Sequence, residues 1–475
     1  MNTSTIAVIG SGFSGTLLSL LLLRWCPPHA RIVLIERNRQ FGRGMAYSTS
    51  NPSHLLNVPV GRMSAFYDRP NDFLDWLKGQ PMEGREDVQP SAGSFVSRRL
   101  YGDYIRHLLN VELKRREPRD RLRLVRGDVL SFDRSSERLQ ITTDQGETVA
   151  ADLAVLAIGN FPPAPPPIED PSFYDSSLYH SDPWAPDALR MLNPEDPILM
   201  IGTGLTMVDA MISLLDMGHV GPIHVLSRRG LLPQRHAPLG GDNPHEIGPY
   251  PTNVRKLARQ LRIQVARATA AGGNWRAVID GLRPFTQDLW QCMSLVERAR
   301  FLRHLRTWWD VSRHRMAGPV AEKLEAVQAS GQLLVHRGRL QSCRIVGDRA
   351  EVTYCPRGTD RRETVRVARV INCSGPFADF TRIPHPLIRS LLDTGVARPD
   401  PLRLGLDVTL NCALLNAEGA ISRRIFAVGP VTKSAFWEIT AVPDIRRQCE
   451  LLAHHLAALV KPPVQSSSQR QSAAA

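Results

Sequence analysis

Short apolar runs that stop at a glycine punctuate this chain. Residues 4–9 run into Gly10, residues 152–158 into Gly159, Pro197–Ile201 into Gly202, Val367–Ser374 into Gly375, and Arg424–Val428 into Gly429. Continuous runs with little polar alternation fit strands buried on both faces, as in parallel sheets. After Gly10 the chain is apolar to about Trp25, which predicts a buried helix, and Arg31–Glu36 predicts the next strand. The same strand–loop–helix–strand order recurs from 197 to 226, with its helix over 206–217. Further helices are expected near 71–77, 101–114 and 441–460, a strand at 123–129 with a hairpin to Thr148, and strands at Leu333–Val335 and Ala350–Tyr354. Residues 250–330 break this rhythm. Phe301, Leu302, Leu305, Trp308 and Trp309 recur at helical spacing among arginines, so a helical insertion is expected. Its aromatic face is read as core before substrate pocket. Arg313-His314-Arg315 can serve either as a phosphate contact or as a solvated face. The proline-rich Phe161–Ile168 reads as a linker, and 466–475 as a disordered tail.

Two of the glycine stops carry chemistry. The first reads Gly10-Ser11-Gly12-Phe13-Ser14-Gly15, and the second Gly202-Thr203-Gly204-Leu205-Thr206-Met207. A G-x-G-x-x-G loop between a strand and a helix lets backbone N–H groups and the helix N-terminus meet a pyrophosphate. Glu36 and Arg228 stand the same number of residues beyond Gly10 and Gly202. An acid there accepts hydrogen bonds from a free ribose, whereas an arginine pairs with a 2′-phosphate. Arg37 follows the acid, and Ser227 and Arg229 flank the arginine as further phosphate contacts, with a solvated charge pair as the plainer reading. Met207 departs from the third glycine, so the second helix is expected farther from its sheet. The pattern predicts an α/β chain with two Rossmann-like dinucleotide-binding domains and a helical insertion. Gly159 and Gly375 are expected near cofactor where the chain passes between domains.

Composition changes this picture little. With 43% hydrophobic and 22% charged residues, the chain reads as an ordinary soluble protein of two or three domains. The net charge of +13 invites a nucleic-acid reading, but the arginines are spread along the chain with no basic tail or aromatic-interleaved stripe. No nucleic-acid partner is therefore expected. The seven cysteines form no C-x-x-C pair and no metal-ligand spacing, so neither a metal nor a redox disulfide is expected. The Thr16–Leu23 run is too short to span a bilayer and lacks a basic leader. A cytoplasmic location without membrane contact is the expectation.

Gly42-Arg43-Gly44-Met45-Ala46-Tyr47, Leu55-Leu56-Asn57-Val58-Pro59 and Trp309–Arg315, together with both loops, resemble the FAD-NAD(P)-binding family of bacterial flavoproteins. That family is related to flavin-containing and Baeyer–Villiger monooxygenases and amino-acid N-hydroxylases. The resemblance implies an FAD domain from 1–165 and 365–465, and an NADPH domain at 195–365 that holds the insertion. It implies that Gly10, Gly12, Phe13, Ser14, Gly15, Glu36, Arg37, backbone of Val129 and Gly429 hold FAD, with Gly159 and Gly375 among the cofactor-binding positions. It places Gly202, Gly204, Leu205, Thr206, Ser227, Arg228 and Arg229 on NADPH. Many relatives carry Asp after the last glycine, where this chain has Pro430. His180 and Trp184 match the end of the Baeyer–Villiger fingerprint, with Tyr174 and Ser176 departing from its start. By the same resemblance Asn57 is the polar neighbour of the flavin and the candidate catalytic residue. The implied activity is an FAD-dependent, NADPH-using monooxygenase, acting with O2 through a flavin C4a-hydroperoxide on a small nucleophilic substrate. Two other functions remain open: a flavin reductase or dehydrogenase that inserts no oxygen, and a non-catalytic redox-sensing protein.

Overall fold

The computed structural model describes residues 4–80, 89–115, 121–185, 187–237 and 248–460; the expected tail at 466–475 lies outside them. The first strand, β1 (Thr5–Ile9), is fully buried, and the chain turns at Gly10 into α1 (Phe13–Trp25). It returns as β2 (Arg31–Glu36), then runs through α2 (Asp72–Lys78) and α3 (Arg98–Lys114) to β3 (Leu122–Arg126). Next come β4 (Val129–Asp133), β5 (Leu139–Thr143) and β6 (Thr148–Ala151), an antiparallel three-stranded sheet where a hairpin is expected. The buried β7 (Leu153–Leu156) follows.

After the linker come β8 (Tyr179–His180), β9 (Ile198–Ile201), α4 (Leu205–Asp216) and β10 (Ile223–Ser227). Among the described residues, six helices then occupy the connection from β10 to the next strand: α5 (Val254–Ala270), α6 (Trp275–Leu282), α7 (Thr286–Cys292), α8 (Leu295–His304), α9 (Arg306–Arg313) and α10 (Gly318–Ala329). The aromatic stripe expected as one helix is broken at Leu305 into α8 and α9. Strands β11 (Leu333–Val346), β12 (Arg349–Pro356), β13 (Glu363–Val367) and β14 (Arg369–Asn372) follow. The chain ends with α11 (Pro386–Asp393), β15 (Ala413–Leu415), β16 (Ile421–Ala427) and α12 (Val442–Leu459).

These elements form two compact units. One comprises Met1–Ser50, Pro59–Asn160 and Ala378–Ala475; the other comprises Asn51–Val58 and Phe161–Phe377. The first unit's sheet has the order β15-β16-β7-β1-β2-β3, parallel except for β15. The second has β13-β12-β11-β10-β9-β14-β8, parallel from β11 to β8 with an antiparallel extension at β12 and β13. In both sheets the strand order reverses beside the first strand, between β1 and β7 and between β9 and β14. Open α/β sheets bind ligands at such a switch point, beyond the carboxyl ends of the strands.

The unit boundaries fall at 160 and 377 rather than at 165 and 365. The physical reason is β14, which fills the place beside β9 that β7 fills beside β1, so Arg369–Asn372 belongs to the second sheet. The eight-residue stretch Asn51–Val58 also belongs to the second unit. Its His54 Nε2 lies 2.9 Å from the carbonyl of Asp209 and 2.8 Å from Ser213 Oγ, both on α4.

Candidate functional sites

The first loop sits at its unit's switch point. A methyl group on Gly10 would lie 2.4 Å from the carbonyl oxygen of Ala157, just past β7, and φ is +99°. One on Gly15 would lie 1.8 Å from the Gly10 carbonyl, so α1 presses directly on the turn. Gly12 is the N-cap of α1, with no side-chain cap and no acidic residue in the first turn. The helix therefore presents uncapped N–H groups and the positive end of its dipole, a ready anion site. Gly44 of the family-specific segment backs this loop: a methyl on it would stand 2.7 Å from Gly12 Cα. Phe13 is buried against Tyr47 and Tyr101, and burial raises the Tyr47 phenol to about 12.

Glu36 closes β2 and is buried. Its Oε2 accepts from Ser11 N at 2.8 Å and Ser11 Oγ at 3.0 Å, and its Oε1 from Asn38 N at 3.0 Å and Nδ2 at 2.8 Å. The carboxylate is thus aimed and held at the loop. Neither Ser11 nor Asn38 was marked by motif. Arg37 is exposed just beyond. Val129 is buried at the start of β4 and pairs with Thr143, with a register shift following it. Gly429 sits over Ser14: a methyl there would lie 2.5 Å from Ser14 Oγ. Its N–H donates to Gln448 Oε1 of α12 at 2.8 Å, a partner that no sequence signal identified. The structure thus brings Gly10, Gly12, Phe13, Ser14, Gly15, Glu36 and Gly429 together around the N-terminus of α1.

The second loop repeats the geometry. A methyl on Gly202 would lie 2.4 Å from the carbonyl oxygen of Cys373, just past β14. Gly204 caps α4 with no side-chain cap and no acid in the first turn, and a methyl on it would meet nothing within 4 Å. Leu205 and Thr206 are half-buried in the first turn, and Met207 is wholly buried at the third-glycine position. Arg228 is exposed and Arg229 half-buried just past β10, with the Arg229 guanidinium 5.8 Å from the Trp308 ring centroid.

Ser227 has a different place from the one expected. Its Oγ accepts from Gly230 N at 2.9 Å and lies 3.0 Å from Thr203 Oγ1, which itself donates to the Leu231 carbonyl at 2.7 Å. The hydroxyl holds the turn beside the loop and has no proton left for a phosphate. Arg315 departs from both of its expected roles. It is buried and bonds Asp280 through both terminal nitrogens, at 2.9 and 3.0 Å, while Arg313 lies 3.6 Å from the same carboxylate. These arginines fasten α6 to the end of α9. Phe301 and Leu305 pack on Val254, Leu257 and Met293, while Trp308 is 49% exposed, so the stripe is core along only part of its length.

Gly159 and Gly375 have positive φ and lie next to the two crossings at 160 and 377. Asn57 belongs to the second unit, where its carbonyl lies 3.0 Å from His236 Nε2; the residue is half-buried. His180 lies in β8, its pKa lowered by burial and then by Arg369, and Trp184 packs edge-on against His54. The seven cysteines are free thiols. Burial raises Cys26 to about 11 and Cys343 to about 12. Among the described residues no helix is long and apolar enough to cross a membrane.

Residues 7–161 match the family described as FAD-NAD(P)-binding. No curated protein matches the sequence. The fold is similar to that of ornithine hydroxylase from Pseudomonas aeruginosa, with a TM-score of 0.65 at 14% identity, over 96% of this chain and 100% of that one. It is also similar to L-lysine 6-monooxygenase from Pseudomonas syringae, with a TM-score of 0.64 at 16% identity, over 96% and 100%. The ornithine N-hydroxylase of Kutzneria sp. 744 gives 0.64 at 13%, over 96% and 99%. The α/β two-loop architecture expected from the sequence is borne out, and so is the family resemblance.

Proposed function

We propose that this chain is an FAD-dependent, NADPH-using monooxygenase that transfers one oxygen atom to a small nucleophilic substrate, a primary alkylamine in the first instance. The observation that carries the reading is the matched pair of switch points with opposite charges: Glu36 faces the first loop, and Arg228 follows the second. A buried acid suits a free ribose, and an exposed arginine suits a 2′-phosphate. The neighbours named for ornithine and lysine support the choice of a primary amine.

The residues present fit both nucleotides. The uncapped N-termini of α1 and α4 receive the two pyrophosphates, and the open side of Gly204 leaves room for one. Glu36 takes the adenosine ribose of FAD, Val129 offers its backbone to the adenine, and Gly429 admits the flavin side beside Ser14. Arg37, Gly159 and Gly375 border that nucleotide. Thr206 and Leu205 flank the NADPH pyrophosphate, and Arg228 with Arg229 binds its 2′-phosphate. When bound, NADPH supplies hydride and reduced FAD activates dioxygen. The protein supplies orientation and a dry setting, and the Asn57 amide is its candidate donor toward the reacting groups. Seven free thiols suit a reducing cytoplasm.

The test is turnover under 18O2. Full-length protein loaded with FAD and NADPH is offered ornithine, lysine and cadaverine, and a hydroxylated amine carrying one heavy oxygen supports the proposal. NADPH consumption that yields only hydrogen peroxide or a reduced acceptor with every amine overturns it in favour of an electron-passing enzyme.

A further inference from the structure

Arginines on the outer strands of the second unit are mostly held by carboxylates. Arg344 and Arg366 pair with Glu351, Arg349 with Asp196, and Arg362 with Glu169. Arg337, like Arg339 two residues on, is exposed and makes no ion pair among the described residues; the exposed Arg228 and the half-buried Arg229 make none either. The position of Arg337 is specific. Strands β10 and β11 are parallel neighbours, and Arg337 is the register partner of Ser227. Paired positions in a sheet direct their side chains to the same face. Ser227 points toward Thr203 of the second glycine loop. The Arg337 side chain lies across the turn that follows: a methyl on Gly230 would stand 2.4 Å from Arg337 Cγ and 3.2 Å from its Nε. That turn is pinned by Gly230 N donating to Ser227 Oγ, so Arg337 rests on a fixed surface that also carries Arg228 and Arg229.

Arg228 and Arg229 on this turn, and Arg337 packed across it, have no ion-pair partner among the described residues, and a doubly charged anion suits such a cluster of cations. Planar forks are suited to grip phosphate oxygens in pairs. Arg229 leans on Trp308, which leaves the other two as the more direct ligands. We infer that Arg337 is a specificity-determining residue for the 2′-phosphate, forming the clamp with Arg228 while Arg229 and Trp308 position the turn. This rests on reading the second loop as the NADPH site.

The experiment is equilibrium binding by titration calorimetry, using FAD-loaded full-length protein with adenosine 2′,5′-bisphosphate and with AMP as probes. Arg337→Gln is expected to weaken the bisphosphate about tenfold and leave AMP unchanged, as loss of a charge-assisted contact requires. Arg337→Lys is expected to recover part of the loss. If native protein prefers the bisphosphate but Arg337→Gln binds it equally well, or loses both ligands alike, the role of Arg337 is overturned and the NADPH reading stands. If native protein shows no preference for the bisphosphate, the NADPH reading fails and takes this inference with it.

Discussion

Gly202 turns so close to Cys373 that a single added methyl would lie 2.4 Å from its carbonyl oxygen. The next glycine of the same loop has open space instead. The first need is structural; the second position is where the proposed NADPH pyrophosphate fits. Gly202→Ala, at a φ of +108°, is expected to cost about 2–4 kcal/mol and to lower the melting temperature markedly. Gly204→Ala is expected to melt within a degree or two of native, at a cost of roughly 0.5 kcal/mol or less, yet weaken NADP+ binding. Thermal melts with and without NADP+ check both; equal destabilisation by the two substitutions contradicts the division.

Arg228→Ala is expected to raise the KM for NADPH roughly tenfold or more while changing that for NADH little. Steady-state flavin reduction with each cofactor measures it. Equal effects on the two remove Arg228 from the phosphate site.

The sequence carried the repeating strand–loop–helix–strand units because glycine spacing and unbroken apolar runs are local signals. Glu36 and Arg228 were legible for the same reason. What escaped depends on contacts between distant segments. Arg337 joins the second loop only through the β10–β11 register, and Gln448 reaches Gly429 from α12. Arg315 reads as a phosphate contact or a solvated face because nothing in its neighbourhood names Asp280 as its partner. The Ser227 hydroxyl reads as a ligand from its strand-end position, whereas in the fold Gly230 and Thr203 occupy it. β14 followed a strand-rich stretch and was grouped with the first unit, although its pairing with β9 decides otherwise.

The Arg315–Asp280 pair ties α6 to the end of α9 within the insertion. Asp280→Ala leaves a buried guanidinium without its carboxylate and is expected to cost about 3 kcal/mol, expressed as early protease cleavage in the 250–330 region. Asp280→Glu should retain most of the resistance. Cleavage at the native rate in Asp280→Ala would show that the pair does not secure these helices.

His224 heads a chain of polar groups across four strands. Its Nδ1 lies 2.9 Å from His336 Nε2, His336 Nδ1 lies 2.8 Å from Tyr354 Oη, and Tyr354 donates to Glu363 Oε2 at 2.5 Å. Burial, and then His336, push the His224 pKa down to about 4, and burial lowers His336 as well, opposed by Glu363. Below the ordinary histidine value of 6.5 the unfolded chain takes up a proton that the native state refuses. Stability is therefore full above that pH and falls as the pH drops toward 4, by about 1–2 kcal/mol after solvent screening. Denaturant titrations across this window should show a shallower decline in His224→Asn, whose amide keeps a donor for His336 but does not titrate. An unchanged decline would assign the acid sensitivity elsewhere.

The central claim is that one chain holds FAD and draws hydride from NADPH in preference to NADH. Anaerobic stopped-flow mixing of FAD-loaded protein with each nicotinamide tests it most directly. The predicted result is loss of the yellow flavin absorbance at least tenfold faster with NADPH than with NADH at equal concentration, as a 2′-phosphate contact requires. A flavin that stays oxidised with both, or is reduced equally fast by both, contradicts it.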